Sequence, residues 1–215
     1  MSPEHVVLDA EKHYYERLRA FEAETVMPGG IVLVGSSHFE WFETDRFLPR
    51  RQIVNRGIAS DRLGIGDRGI VHRLDVSVFR CRPAFIVFNN GVNDLGELWR
   101  TGQPSMPAIC KAYTRVVAEI RAGAPDVPML IVNELPTTGR FAGLNPYIPP
   151  LNEHIAQVAQ DFGCAHLDFN RVIVDAVGEL RADLTTDGLH LNDAGYALFA
   201  EHLIPLLPPA RAMTP

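Results

Sequence analysis

A chain of 215 residues is long enough for one sizeable core and short for two. With 47% hydrophobic and 21% charged residues it has an ordinary globular balance, and 26 acidic against 20 basic side chains leave a formal charge of -6. That sign argues against nucleic acid or an anionic membrane as partner, because either favours a basic face. No apolar run approaches the roughly 18 residues needed to cross a bilayer, so stable membrane insertion is not expected. The first residues lack a basic region followed by a long apolar run, and so do not read as a secretory signal. Cys81, Cys110 and Cys164 are widely spaced and odd in number. They read as reduced, buried thiols of a cytoplasmic protein.

Taken in chain order, Tyr14, Leu18 and Phe21 share one face of a first helix. IVLVG (31–35) is a short apolar run, and HFEWFE after it can form a short helix. IVNRG (53–57) and AFIVFNN (84–90) are the next strand-like runs. Ile109, Tyr113, Val116, Val117 and Ile120 then keep the helical period, with Gly123 placed as a stop. PMLIVN (128–133) is a strand; Leu151, Ile155, Val158 and Phe162 form a helix face; AHLDF (165–169) is a strand again. Tyr196, Phe199, Ala200 and Leu203 mark the last helix, and the Pro-rich tail from about 206 to 215 is expected to fray. Apolar runs largely unbroken by polar residues suit strands covered on both faces. Their alternation with helices predicts one three-layer α/β/α domain over residues 1–215, with about five parallel strands.

In open α/β sheets the chemistry gathers at the carboxyl ends of the strands. The residues there are Gly35-Ser36-Ser37, Asn55-Arg56-Gly57, Asn89 to Asp94 and Asn133 to Thr137. Ser37 could be a nucleophile or a plain helix cap. Near the C-terminus, DGLHLN puts Asp187 three residues before His190, close enough for the carboxylate to reach the imidazole within one turn. A serine needs such a base, and the base needs a group to fix its tautomer. Read blandly, the same residues are a surface turn. Gly57 and Asn93 could supply donors to an oxyanion, or simply occupy turns. Asn192 is placed to cap the last helix.

Other patterns are discounted. GIGDRG (64–69) satisfies the dinucleotide-binding glycine spacing but does not sit in the turn after a strand. Eight histidines show no metal-ligand spacing. His38 adjoins Ser37, but neighbouring side chains diverge, which favours His190 as the base.

Together these blocks resemble, over nearly the whole chain, the SGNH hydrolases, also called GDSL esterases and lipases. VLVGSSHFEWF is similar to the block that carries the family's nucleophile, which implies Ser37. NRGIAS resembles the second block, implying the Gly57 amide as an oxyanion donor, and GVND the third, implying Asn93. DGLHLN matches the last block, implying Asp187 as orienter and His190 as base, while ELPT (134–137) is similar to a segment of the platelet-activating-factor acetylhydrolase-like branch. Where the family usually has Asp before the nucleophile, this chain has Ser36. The resemblance implies a flavodoxin-like sheet and hydrolysis of carboxylic esters without metal or cofactor. The peptide N–H of Ser37 is a further expected oxyanion donor.

Segments 95–107 and 135–149 are expected to form pocket loops, with Trp99, Phe141 and Tyr147 as substrate contacts and Arg100 or Arg140 able to meet a carboxylate or phosphate. With no long apolar lid, short acyl esters such as acetyl on a small soluble alcohol or sugar are the expected substrates. A lysophospholipase, thioesterase or acyltransferase using the same triad is an alternative, and a non-catalytic binding module is the rival from another class. A homo-oligomer remains open.

Overall fold

The computed structural model describes residues 9–210. The reading of the first eight residues, and of 211–215 as frayed, lies outside them. Within them the order is α1 (Ala10–Ala23), β1 (Ile31–Gly35), α2 (Ser37–Glu40), α3 (Thr44–Phe47), β2 (Ile53–Gly57), β3 (Phe85–Asn89), α4 (Val92–Thr101), α5 (Met106–Gly123), β4 (Met129–Val132), α6 (Ile148–Asp161), β5 (Ala165–Leu167), α7 (Asn170–Ile173) and α8 (Asp193–Leu203). All five strands are parallel, in the order β2-β1-β3-β4-β5. Gly35 pairs with Gly57 on one side and Asn89 on the other, so three strand ends finish level.

Successive side chains of a strand point to opposite faces, and each face finds its own cover. Val32, Val34, Ile86, Phe88 and Ile131 pack with Ile109, Tyr113 and Val117 of α5 and Leu151 and Ile155 of α6. Leu33, Val87, Leu130 and Val132 pack on the other side with Phe39 of α2, Ile173 of α7 and Phe199 and Leu203 of α8. The expected three-layer sheet is therefore what forms. α1 uses Tyr14 and Phe21 to cover Ile58 and Val76 beside the sheet.

Several local expectations need correction. AHLDF is shorter and more exposed than a doubly covered strand: β5 is the sheet edge, with Ala165 and His166 exposed. Segment 95–107 is not all loop, because α4 continues through Thr101. Gly123 ends α5 but not by a left-handed turn; a Cβ there would meet the Phe79 ring at 2.4 Å, so the glycine makes room for packing. Leu207 is buried against the α8 side, so the tail is anchored at its start. Cys81 is buried, whereas Cys110 and Cys164 are only half-buried.

One buried side chain ties the strand ends together. Arg73 is fully buried and its guanidinium bonds four groups. It meets Asp61 Oδ2 at 2.8 Å, the Ser77 hydroxyl at 2.8 Å, the Arg56 carbonyl at 2.9 Å and the Gly35 carbonyl at 3.0 Å. It thus joins the last residue of β1, the end of β2 and the loop that follows β2. Removing one partner of a buried pair leaves the other charge uncompensated, which costs on the order of 3–5 kcal/mol. Arg73→Met is expected to lower unfolding stability by about that amount in urea titrations at unchanged m. A loss well under ~1 kcal/mol would show that the buried pair is not what fixes the strand ends.

Candidate active site

Ser37 is the first residue of α2, immediately after β1, and is almost fully buried. Its Oγ lies 3.0 Å from His190 Nε2. The other ring nitrogen, Nδ1, lies 2.8 Å from Asp187 Oδ2. An ionised carboxylate only accepts, so Nδ1 carries the proton and Nε2 is left to accept from the Ser37 hydroxyl. Burial raises the Asp187 carboxyl. Donation from the His190 ring and from the amides of His190 and Leu189, both at Oδ1, outweighs it and holds the group well below the usual carboxylate range. Asp187 therefore stays ionised across the working range and can stabilise an imidazolium.

The turn carrying the pair is braced at each end. The Thr138 amide donates to the Gly188 carbonyl at 2.8 Å, while Thr185 Oγ1 donates to the His190 carbonyl and accepts from the Gly188 amide. Gly188 has φ 91°, and a Cβ there would meet the Thr138 carbonyl at 2.4 Å. Asn192 caps α8 by accepting from the Gly195 amide, as expected. Trp41, absent from the expected site, packs on the imidazole with ring centroids 4.1 Å apart. The aromatic spacing of HFEWF is the signal that could have suggested it.

The two alternatives beside Ser37 resolve plainly. Ser36 Oγ is buried without a hydrogen-bond partner and does not reach His190. His38 Nε2 donates to the Leu189 carbonyl at 3.2 Å, and burial first, then the neighbouring His190, pushes its pKa down to about 4. His38 is thus an uncharged packing residue.

The donor set differs from expectation at one position. The Gly57 amide is already spent on Asn55 Oδ1 at 2.9 Å, while Asn55 Nδ2 donates to the Phe39 carbonyl. A Cβ at Gly57 would strike the backbone of Glu40 at 2.2 Å, so this glycine lets β2 approach α2 and offers no donor. In the loop beyond, the amides of Ile58, Ala59, Asp61, Arg62 and Leu63 are each bonded to an acceptor. The Ser60 amide alone in that run has none among the described residues. Ser60 holds φ 62°, a left-handed conformation unusual for a residue with a side chain. It shares a cleft with Asn93, whose Nδ2 gives one hydrogen to the Asp61 carbonyl at 2.9 Å and keeps the other. Ser60 therefore replaces Gly57 as the available backbone donor. Neither composition nor spacing marks it, because nothing in NRGIASD announces a left-handed serine.

That cleft, of about 280 Å³, is lined by Trp99, Phe141, Leu144 and Leu189 and by Arg62, Arg68 and Arg100. Trp99 and Phe141 thus stand where expected; Tyr147 does not, since it precedes α6 and packs against the core. Arg140 stacks on Phe141 instead of lining the cleft. Among the described residues no group of three or more His, Cys, Asp or Glu side chains could hold a metal ion.

The profile of the GDSL-like lipase/acylhydrolase family matches residues 41–198. The chain belongs to that family. Ser37 falls just before the matched stretch, and Asp187 and His190 lie inside it. A candidate platelet activating factor from Streptococcus pneumonia is 20% identical, with TM-score 0.80 over 92% of this chain and 94% of that one. A GDSL-like lipase from Bacteroides thetaiotaomicron is 19% identical, with TM-score 0.76 over 90% and 96%. An acetyl-xylooligosaccharide esterase from Geobacillus Stearmophilus is 13% identical, with TM-score 0.64 over 85% and 95%. At such identities the likeness is one of fold. Among curated proteins, none matches this chain in sequence.

Within this GDSL-type site a buried acid sets the helix that carries Asn93. Glu134, fully buried, accepts from the Val92 amide at 3.1 Å and from Asn89 Nδ2 at 3.3 Å, capping α4 one residue before Asn93. Burial pushes its carboxyl up to about 8. The folded protein therefore holds a proton that the unfolded chain has lost above the ordinary carboxylate range. Stability should fall as pH rises from that range to about 8. Glu134→Gln is expected to flatten this fall, read as a melting temperature several degrees less sensitive to pH, and an unchanged slope would contradict the assignment. In the loop after β2, Ser60→Gly should keep activity and raise stability by ~1 kcal/mol, by relieving the left-handed backbone. Gly57→Ala should destabilise through its clash with α2. Thermal melts and ester turnover of the two variants read both outcomes.

Proposed function

We propose that the chain is a serine esterase that moves a short acyl group, acetyl foremost, from a small soluble alcohol or sugar to water through an acyl-Ser37 intermediate. The observation that carries this reading is the continuous contact from Ser37 Oγ to His190 Nε2 and from His190 Nδ1 to Asp187. A serine hydroxyl is a weak nucleophile unless a positioned base takes its proton, and this geometry supplies the base in the correct tautomer.

The steps follow from the contacts. Ser37 Oγ attacks the ester carbonyl as His190 Nε2 accepts its proton, and Asp187 stabilises the imidazolium. The carbonyl oxygen becomes an oxyanion facing the amides of Ser37 and Ser60 and the spare hydrogen of Asn93 Nδ2. Ser37 opens α2, where a first amide has no intrahelical acceptor, so its donor is available. His190 then gives its proton to the departing alkoxide, leaving acyl-Ser37 and an alcohol. Water attacks the acyl group by the same route and releases the acid. The modest cleft, walled by Trp99, Phe141 and Leu144, supports small substrates. The acetyl-xylooligosaccharide esterase among the proteins sharing the fold adds support for acetyl on a sugar.

With 4-nitrophenyl acetate as reporter, Ser37→Ala and His190→Ala should each lower kcat/KM by ~10³-fold or more, and Asp187→Asn by a similar order through the wrong tautomer. Asn93→Ala should cost ~10²–10³-fold, mainly in kcat, the loss of one oxyanion donor. Retention of near-full activity by His190→Ala would sink the mechanism.

A further inference from the structure

The three charged residues that line the cleft, Arg62, Arg68 and Arg100, are all basic, in a protein whose overall charge is -6. Their neutralisation inside the protein is incomplete. Arg62 Nη2 lies 2.8 Å from Glu97 Oε2, and Arg100 bonds that same oxygen, so two guanidinium groups share one carboxylate. Arg68 forms no ion pair among the described residues, and its Nη1 is buried without a hydrogen-bond partner. Asp61, whose charge Arg68 feels, is already bonded to Arg73. A buried donor is unfavourable until an acceptor, a water or a ligand oxygen, completes it. The guanidinium fork matches carboxylate and phosphate oxygens in pairs.

We infer that the substrate of this site carries an anionic group, a carboxylate or a phosphate, held by Arg68 with Arg62 and Arg100 in the cleft that also holds Ser60 and Asn93. The inference rests on the esterase reading, because it places the anion on the same molecule as the ester. Trp99 and Phe141 then bound the carbon skeleton between anion and ester, and Gly96 leaves the α4 wall open to it. The surplus positive charge concentrates anionic esters at the site and lowers their KM in a salt-dependent way.

A matched series tests this: the monoacetates of glycerol, of glycerate and of glycerol 3-phosphate. The wild type should hydrolyse at least one anionic ester with kcat/KM ten-fold or more above the glycerol ester, with the advantage shrinking at high salt. Whichever anion leads names its chemistry. Arg68→Gln should lower the anionic-to-neutral ratio about ten-fold, whereas Arg115→Gln, an exposed change on α5, should leave it unaltered. Equal rates for the three esters, or an unchanged ratio in Arg68→Gln, would overturn the inference. Calorimetric binding of glycerol, glycerate and glycerol 3-phosphate to Ser37→Ala protein separates the two claims. Anion binding that weakens with an added Arg68→Gln supports the anion site even if no ester is turned over; indifference between glycerol and the anions overturns it while leaving Ser37 chemistry intact.

Discussion

The site depends first on the Arg73 guanidinium. At the carboxyl ends of β1 and β2 two carbonyl groups, at Gly35 and Arg56, are bonded by one buried cation, and the Gly35 carbonyl accepts the Ile58 amide as well. The same cation holds Asp61, which closes the loop containing Ser60, and the Asp61 carbonyl receives the Asn93 side chain. The residue that leads into Ser36 and Ser37, the loop with the spare amide and the Asn93 side chain are therefore referenced to one group. Such preorganisation matters because oxyanion donors are useful only within a few tenths of an ångström of the developing charge.

His190 reaches this frame from the far end of the chain. Ser37 and His190 are 153 residues apart, yet their neighbours Phe39 and Leu191 pack in one cluster with Tyr196, Phe199 and Leu203 of α8. The Tyr196 hydroxyl donates to the His38 carbonyl and links α8 back to α2, so the helix after the Asp187–His190 turn is fastened to the helix carrying Ser37. Trp41 packs on the imidazole from the C-terminal end of α2. Two anchors, one at each end of the Ser37–His190 contact, explain how loops provide positions as definite as those of strands.

Much of this was legible in the sequence because it depends on local pattern. Apolar runs of four to six residues gave the strand positions, and IVLVG and IVNRG match their strands residue for residue. Ser37 and Asn93 were read from polar residues placed where strands end, and Asp187 and His190 from their three-residue spacing ahead of the last helix. What escaped was set by contacts distant in sequence. Arg73 and Asp61 are ordinary charged residues until the fold buries them together, and no periodicity predicts that. Gly57 was misread because a glycine that admits a helix backbone and one that frees an amide look alike in sequence; only the Asn55 side chain decides between them. Ser60 was invisible because its left-handed backbone is imposed by its neighbours. Tyr147 failed for a simpler reason: an aromatic in a loop near a pocket can turn towards the core as easily as towards the cleft.

The central claim is that the contact between Ser37 and His190 activates one serine of an adjacent pair. Labelling with a fluorophosphonate probe followed by peptide mass mapping tests it most directly, on the wild type, Ser36→Ala and Ser37→Ala. Adduct is expected on Ser37 in the wild type and in Ser36→Ala, and none in Ser37→Ala. Adduct on Ser36, or no adduct on folded wild-type protein, would contradict it.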